Sequence, residues 1–196
     1  MIYTSTITSA SLRLRESRIV ADLLLQGTKG ADWKEAIQER NVLQMGSMET
    51  RKRLSGLLRA RLEPLGEGVW KMVRDGEREQ ATQAAFASAI KNSHLLGDFM
   101  DIVIREEREL FATKLEYGMW SDYLIGCRGR DPDMPQWSDE TVQKLRSSVF
   151  SMLAEAGYLK DTRSLLLQNV FADAELAAYL RDRGESYVLR CMEVAE

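Results

Sequence analysis

Apolar residues recur at intervals of three and four along almost the whole chain. That spacing gathers them on one side of an α-helix and scatters them over both faces of a strand. From Ser11 to Gln26 the pattern runs Leu12, Ile19, Val20, Leu23 and Leu24, and Gly27 supplies a stop. Only three prolines break 196 residues, and Leu, Ala, Glu, Arg and Met dominate, so little in the chain resists helix. The expected fold class is all-α.

The same spacing predicts the following elements. Asp32 caps a short second helix through Arg40, with Trp33, Ala36 and Ile37 inward, and Asn41 to Gly46 form a turn. Ser47 caps a third helix to about Glu63, where Leu54, Leu57, Leu58 and Leu62 form the stripe and Pro64 marks the end. A short helix around Val69 to Val73 and the turn Asp75-Gly76 lead to an alanine-rich helix from Glu77 to about Ser93. A long helix is expected from Leu95 to Tyr117, its stripe formed by Phe99, Val103 and Leu110 beside Met100, Ile104, Phe111 and Leu115.

Glycines, prolines and charges over 127–137 read as a linker between an N-terminal helical domain, 1–126, and a C-terminal one, 138–196. In the latter, Ser138 caps a helix that ends at Ala156-Gly157. Tyr158-Leu159 and Leu165 to Val170 are set to pair as a small hairpin, and Asp173 opens a last helix through Arg181. Helix, hairpin and helix suggest a winged-helix-like unit. The four tryptophans are expected in the core.

Several function classes lack the residues they need. No apolar run approaches the roughly 20 residues that span a bilayer. Met1 to Ala10 lacks the basic start and apolar stretch of a signal peptide, which places the chain in the cytoplasm with Cys127 and Cys191 as free thiols. The one histidine, His94, has no nucleophile motif around it, and the carboxylate pairs Asp131 with Asp133 and Glu106 with Glu109 sit in polar contexts. Phosphate-cradling glycine motifs, His/Cys clusters and calcium loops are absent, so no metal, cofactor or catalytic residue is expected.

What remains is charge. The chain carries −3 overall, yet residues 1–63 hold eleven Lys/Arg against seven Asp/Glu and residues 64–196 hold sixteen against twenty-three. The basic residues concentrate on the third helix at Arg51, Lys52, Arg53, Arg59 and Arg61. The short helix and turn before it make segment 32–63 helix-turn-helix-like. Arg13, Arg15 and Arg18 extend the candidate surface, and Lys144 and Arg146, with Lys160 and Arg163, are a second group. Such cations gain affinity for double-stranded DNA by releasing counterions from its phosphates. The same spacing also suits a merely solvated helix face, and the turn is longer than the usual three or four residues.

Read together, Ala10-Ser11-Leu12, Glu16-Ser17-Arg18, Ala21, Leu24-Leu25 with Gly27, Trp33, Asn41-Val42-Leu43-Gln44 and Arg61-Leu62-Glu63-Pro64-Leu65 resemble the BrxA family. The likeness is strongest over 8–65 and continues at Ala156-Gly157-Tyr158-Leu159. It implies a helical, non-enzymatic accessory of bacteriophage exclusion (BREX) defence systems. Such an accessory carries basic grooves suited to DNA and acts beside a methyltransferase, an ATPase and a phosphatase-like partner. The other reading left open is an adaptor that joins defence proteins through the acidic C-terminal region and an exposed apolar patch, without touching DNA.

Overall fold

A computed structural model of the chain describes residues 3–194. It is mostly helical, and no sheet forms among these residues. Two compact units result, one from Leu12 to Asn92 and the other from Met1–Ser11 with Ser93–Glu196. The segment 127–137 lies inside the second of these.

In the first unit, α1 (Leu14–Leu25) packs most extensively on α4 (Glu67–Asp75), while α3 (Met48–Leu62) and α5 (Arg78–Asn92) close the remaining sides. The core follows the expected stripes: Val20, Ala21, Leu23 and Leu24 of α1 and Leu54, Leu58 and Leu62 of α3 are buried, and the two helices pack on each other. On α5 the alanines at 81, 84, 85 and 89 are buried, their small side chains letting neighbouring backbones approach closely. The second helix starts earlier than expected: α2 (Gly30–Lys34) follows Lys29, so Asp32 is not its cap, and it widens into a π-helical turn over Glu35–Glu39. Ser47 does cap α3, its hydroxyl oxygen accepting from the Thr50 N–H at 3.1 Å.

In the second unit, α6 (His94–Asp98) runs through a π-helical stretch, Phe99–Ile104, into α7 (Arg105–Glu109). The helix expected to reach Tyr117 stops there. Phe111 takes a left-handed φ of 56°, and the next residues pair with another segment instead: Leu115 N–H donates to the Leu165 carbonyl at 2.9 Å and Leu167 N–H to that of Thr113 at 3.0 Å. Leu110 and Phe111 therefore leave the predicted stripe and stand exposed, whereas Phe99, Met100, Ile104 and Leu115 are buried. Next come α8 (Gly118–Arg130), α9 (Asp139–Glu155), α10 (Ala174–Asp182) and α11 (Ser186–Met192), with Ser138 and Asp173 capping α9 and α10 as expected.

The expected hairpin does not form. Tyr158-Leu159 and Leu165 to Val170 meet at one isolated antiparallel bridge, Leu159 with Leu167, flanked by Lys160 N–H to Leu166 O and Gln168 N–H to Tyr158 O, both 2.9 Å. Leu166 also bridges Lys114, so this short segment is shared between two neighbours and extends a ladder with neither. Of the tryptophans, Trp120 is buried, while Trp33, Trp70 and Trp137 are only half-buried. Trp70 uses its ring N–H to hold the Leu62 carbonyl at the end of α3, 2.8 Å away.

Candidate nucleic-acid interface

The cations singled out by the sequence do not form one surface. Three are structural. Arg51 turns back from α3, its Nε donating to the Met45 carbonyl at 3.0 Å and Nη1 to that of Gln38 at 2.8 Å. Arg18 reaches from α1 to the carbonyls of Arg74 and Gly76 at 2.7 and 2.8 Å, satisfying oxygens that the end of α4 leaves without an intrahelical partner. Arg61 is 4% exposed, so its charge is not offered to solvent.

Others are engaged at the surface. Arg59 lies over the Trp33 ring, 4.7 Å from its centroid, and its Nε meets Glu63 at 2.7 Å. Lys144 pairs with Glu140 at 2.6 Å one turn earlier on α9, which holds that carboxyl below its usual range. Arg146 lies over the Tyr117 ring at 4.8 Å.

Arg13, Arg15, Lys52 and Arg53 remain exposed. The folding of 41–47 relates them. Asn41 closes this turn on itself, its side-chain oxygen accepting from the Met45 N–H at 3.0 Å and its amide donating to the Met45 carbonyl at 3.1 Å. Arg51 then ties the turn to the first part of α3, and Arg15 donates to the Gln44 side chain, fixing the start of α1 against the same turn. Arg13 and Arg15 on one side and Lys52 and Arg53 on the other thus flank a single capped helix start.

The charge of the two units supports this localisation. Residues 12–92 carry fifteen Lys/Arg against eleven Asp/Glu, while 1–11 with 93–196 carry twelve against nineteen. An anionic polymer meets favourable potential mainly on the first.

The acid and base candidates are dispersed. His94 is exposed, with its ring 5.5 Å from that of Tyr187. Asp131 departs from the solvated carboxylate expected: it is 5% exposed and accepts the Tyr3 N–H at 3.2 Å, while Asp133 is exposed. Cys127 and Cys191 are buried free thiols, and burial raises both, that of Cys191 to about 12, far from a reactive thiolate. Among the described residues no cluster of His, Cys, Asp and Glu could hold a metal ion, and no helix is long and apolar enough to cross a membrane.

Sequence reasoning missed the surroundings of Arg146. Tyr117, Ser147, Phe150, Ser151 and Thr162 line a cavity with it. Ser147 and Ser151 were legible as an i, i+4 hydroxyl pair on α9, but Tyr117 and Thr162 arrive from segments whose course the tertiary fold decides.

Comparison with known proteins agrees with the sequence resemblance. The family model BrxA matches residues 1–184. A "BREX protein BrxA" of Paramagnetospirillum magneticum is 47% identical over 193 residues, covering 98% of this chain and 97% of the relative. One from Escherichia coli O9:H4 is 30% identical over 182 residues, covering 93% and 85%. A crystal structure of an uncharacterized protein from Magnetospirillum magneticum superposes with a TM-score of 0.93 at 46% identity, over 99% of this chain and 100% of that one. With near-complete coverage from both sequence and structure, this chain belongs to the BrxA family of BREX proteins.

Proposed function

We propose that this protein serves BREX phage defence in the cytoplasm as a non-enzymatic component that binds double-stranded DNA and works with other BREX proteins. The observation that carries the reading is the exposed set Arg13, Arg15, Lys52 and Arg53 around the capped start of α3, in the unit whose charge balance is positive. In this reading α2, the turn and α3 act as a helix-turn-helix-like element. The N-terminal end of α3 meets the groove, and the four cations neutralise flanking phosphates.

Such binding draws its affinity from counterion release, so it discriminates little between base sequences and falls steeply with salt. Four phosphate contacts predict a loss of roughly a hundredfold in affinity between about 50 and about 200 mM salt. A fluorescence-anisotropy titration against a duplex at the two salt concentrations tests this. No binding at the lower concentration removes the DNA reading.

A second reading, an adaptor between BREX proteins, is favoured by a separate observation. In the acidic unit Leu110 is 68%, Phe111 91% and Phe171 75% exposed. Phe111 holds a left-handed backbone that most residues avoid, so two large apolar side chains are displayed at a turn rather than tucked away. Replacing Phe111 and Phe171 by serine would abolish association with a purified BREX partner while leaving duplex binding intact. DNA binding and adaptor contacts are compatible on different units.

A further inference from the structure

The cavity beside Arg146 measures about 450 Å³. Arg146, Ser147, Phe150 and Ser151 come from α9 at i, i+1, i+4 and i+5 and so share one side of the helix. Tyr117, just before α8, stacks on Phe150 with the rings 5.8 Å apart and 29° from parallel, and its hydroxyl donates to the Thr162 carbonyl at 2.8 Å. This contact brings the 160–164 turn over α9.

The polar groups here are notable for what they do not bind. Among the described residues no carboxylate pairs with Arg146, which lies over the Tyr117 ring, and the hydroxyls of Ser147, Ser151 and Thr162 make no hydrogen bond to another protein group. The nearby carboxylate of Asp161 is already committed. It accepts the N–H groups of Arg163 and Ser164 at 2.8 and 2.7 Å and the Ser164 hydroxyl at 2.9 Å, which holds it below the usual carboxylate range and shapes the turn that displays Thr162.

We propose that this cavity binds a phosphate group carried on a nucleotide-sized molecule. A guanidinium fork matches two phosphate oxygens, and hydroxyl donors complete the set. Tyr117, 47% exposed and backed by the buried Phe150, gives the apolar surface that an attached ring would pack on. The volume lies within the ordinary range for small-ligand sites and exceeds what a bare phosphate fills. The surrounding unit is acidic, which disfavours a long run of phosphates and suits one phosphate at one local cation. The nucleotide is either free or the end of a single strand, because the recognising chemistry is the same. This site does not depend on the duplex-binding reading, which rests on α1 and α3.

Isothermal titration of the full chain with AMP, adenosine, a short single-stranded DNA and a duplex tests the proposal. The variants are Arg146→Gln, Ser147→Glu and Lys52→Ala/Arg53→Ala. Ser147 is exposed, so Ser147→Glu places a carboxylate at the cavity without touching the core even if Arg146→Gln disturbs packing on Tyr117. AMP should bind at least about tenfold tighter than adenosine. Both cavity variants should abolish the difference, and Lys52→Ala/Arg53→Ala should keep it. Single-strand binding that needs Arg146, without AMP binding, identifies a strand end as the source. The proposal is overturned if neither probe binds, if both cavity variants bind as the parent does, or if only the duplex depends on Arg146. Failure of duplex binding is read separately, from the Lys52→Ala/Arg53→Ala titration.

Discussion

Arg51 donates to the backbone carbonyl of Met45 at 3.0 Å, so the cation that opens the basic run of α3 faces its own preceding turn. Its neighbours Lys52 and Arg53 are exposed. Three consecutive positive residues thus divide into one that builds the turn and two that are exposed to solvent, which makes stability and binding separable by mutation.

Arg51→Ala leaves the Met45 and Gln38 carbonyls without their charged donor. Hydrogen bonds of this kind are worth about 1.5–3 kcal/mol, and the loss should appear in urea melts as a lower midpoint with unchanged slope. Arg18→Ala should behave alike, because its two carbonyl contacts hold α1 to the end of α4. An unaltered midpoint for both would mean that these contacts are replaced by water without cost.

Lys52→Ala/Arg53→Ala should leave the thermal midpoint within about 1 °C, as expected for exposed side chains away from caps and core. If both residues meet phosphates, the slope of log affinity against log salt falls by about 1.8. The anisotropy titration over several salt concentrations reads this directly, and a slope equal to the parent's would take the start of α3 out of the interface.

Gly97 should tolerate no side chain. A Cβ there would sit 2.4 Å from the Tyr187 hydroxyl, which itself donates to Asp98 at 2.5 Å. Gly97→Ala must push Tyr187 off that carboxylate, at a cost of about 1–3 kcal/mol for overpacking. Gly97→Ala combined with Tyr187→Phe should be less destabilised than the sum of the two single changes, since the clashing oxygen is gone.

Asp98 accepts a second phenol, that of Tyr3, at 2.6 Å. Burial first, and then the adjoining carboxylate, raise both tyrosines well above the ordinary 10.0. A raised value in the folded state means that the unfolded chain releases these protons first. The stabilisation is complete below about pH 10 and is lost progressively as pH rises beyond it. Thermal midpoints measured between about pH 8 and 11 should therefore decline at the alkaline end, and Tyr187→Phe should flatten that decline. An equally steep decline in the variant would assign it to other groups.

The helical class was written into the sequence because period and capping are local properties. The leucines of α3 at 54, 58 and 62 and the caps Ser47, Ser138 and Asp173 need only their own neighbours to act. Three misreadings share one cause. Leu110 and Phe111 continue an apolar stripe on paper, but residues 113–115 pair with 165–167, a segment about fifty positions away, and the helix stops. The same competition leaves Leu166 and Leu167 bridged to separate partners, so no hairpin develops. Asp131, polar in sequence, is buried because the N-terminal segment lies against it.

Charge shows the same division. The sequence by itself determined that the amino-terminal half carries the excess of cations, since a sum over residues needs no geometry. Only the tertiary structure decided which cations face solvent. Arg18 and Arg51 look no different from Arg15 and Arg53 in the chain, yet helix ends and turns leave carbonyl oxygens that must be satisfied, and the nearest guanidinium is drawn in to meet them. Arg146 gained its cavity in the same way, from a tyrosine and a turn that local spacing could not bring to α9.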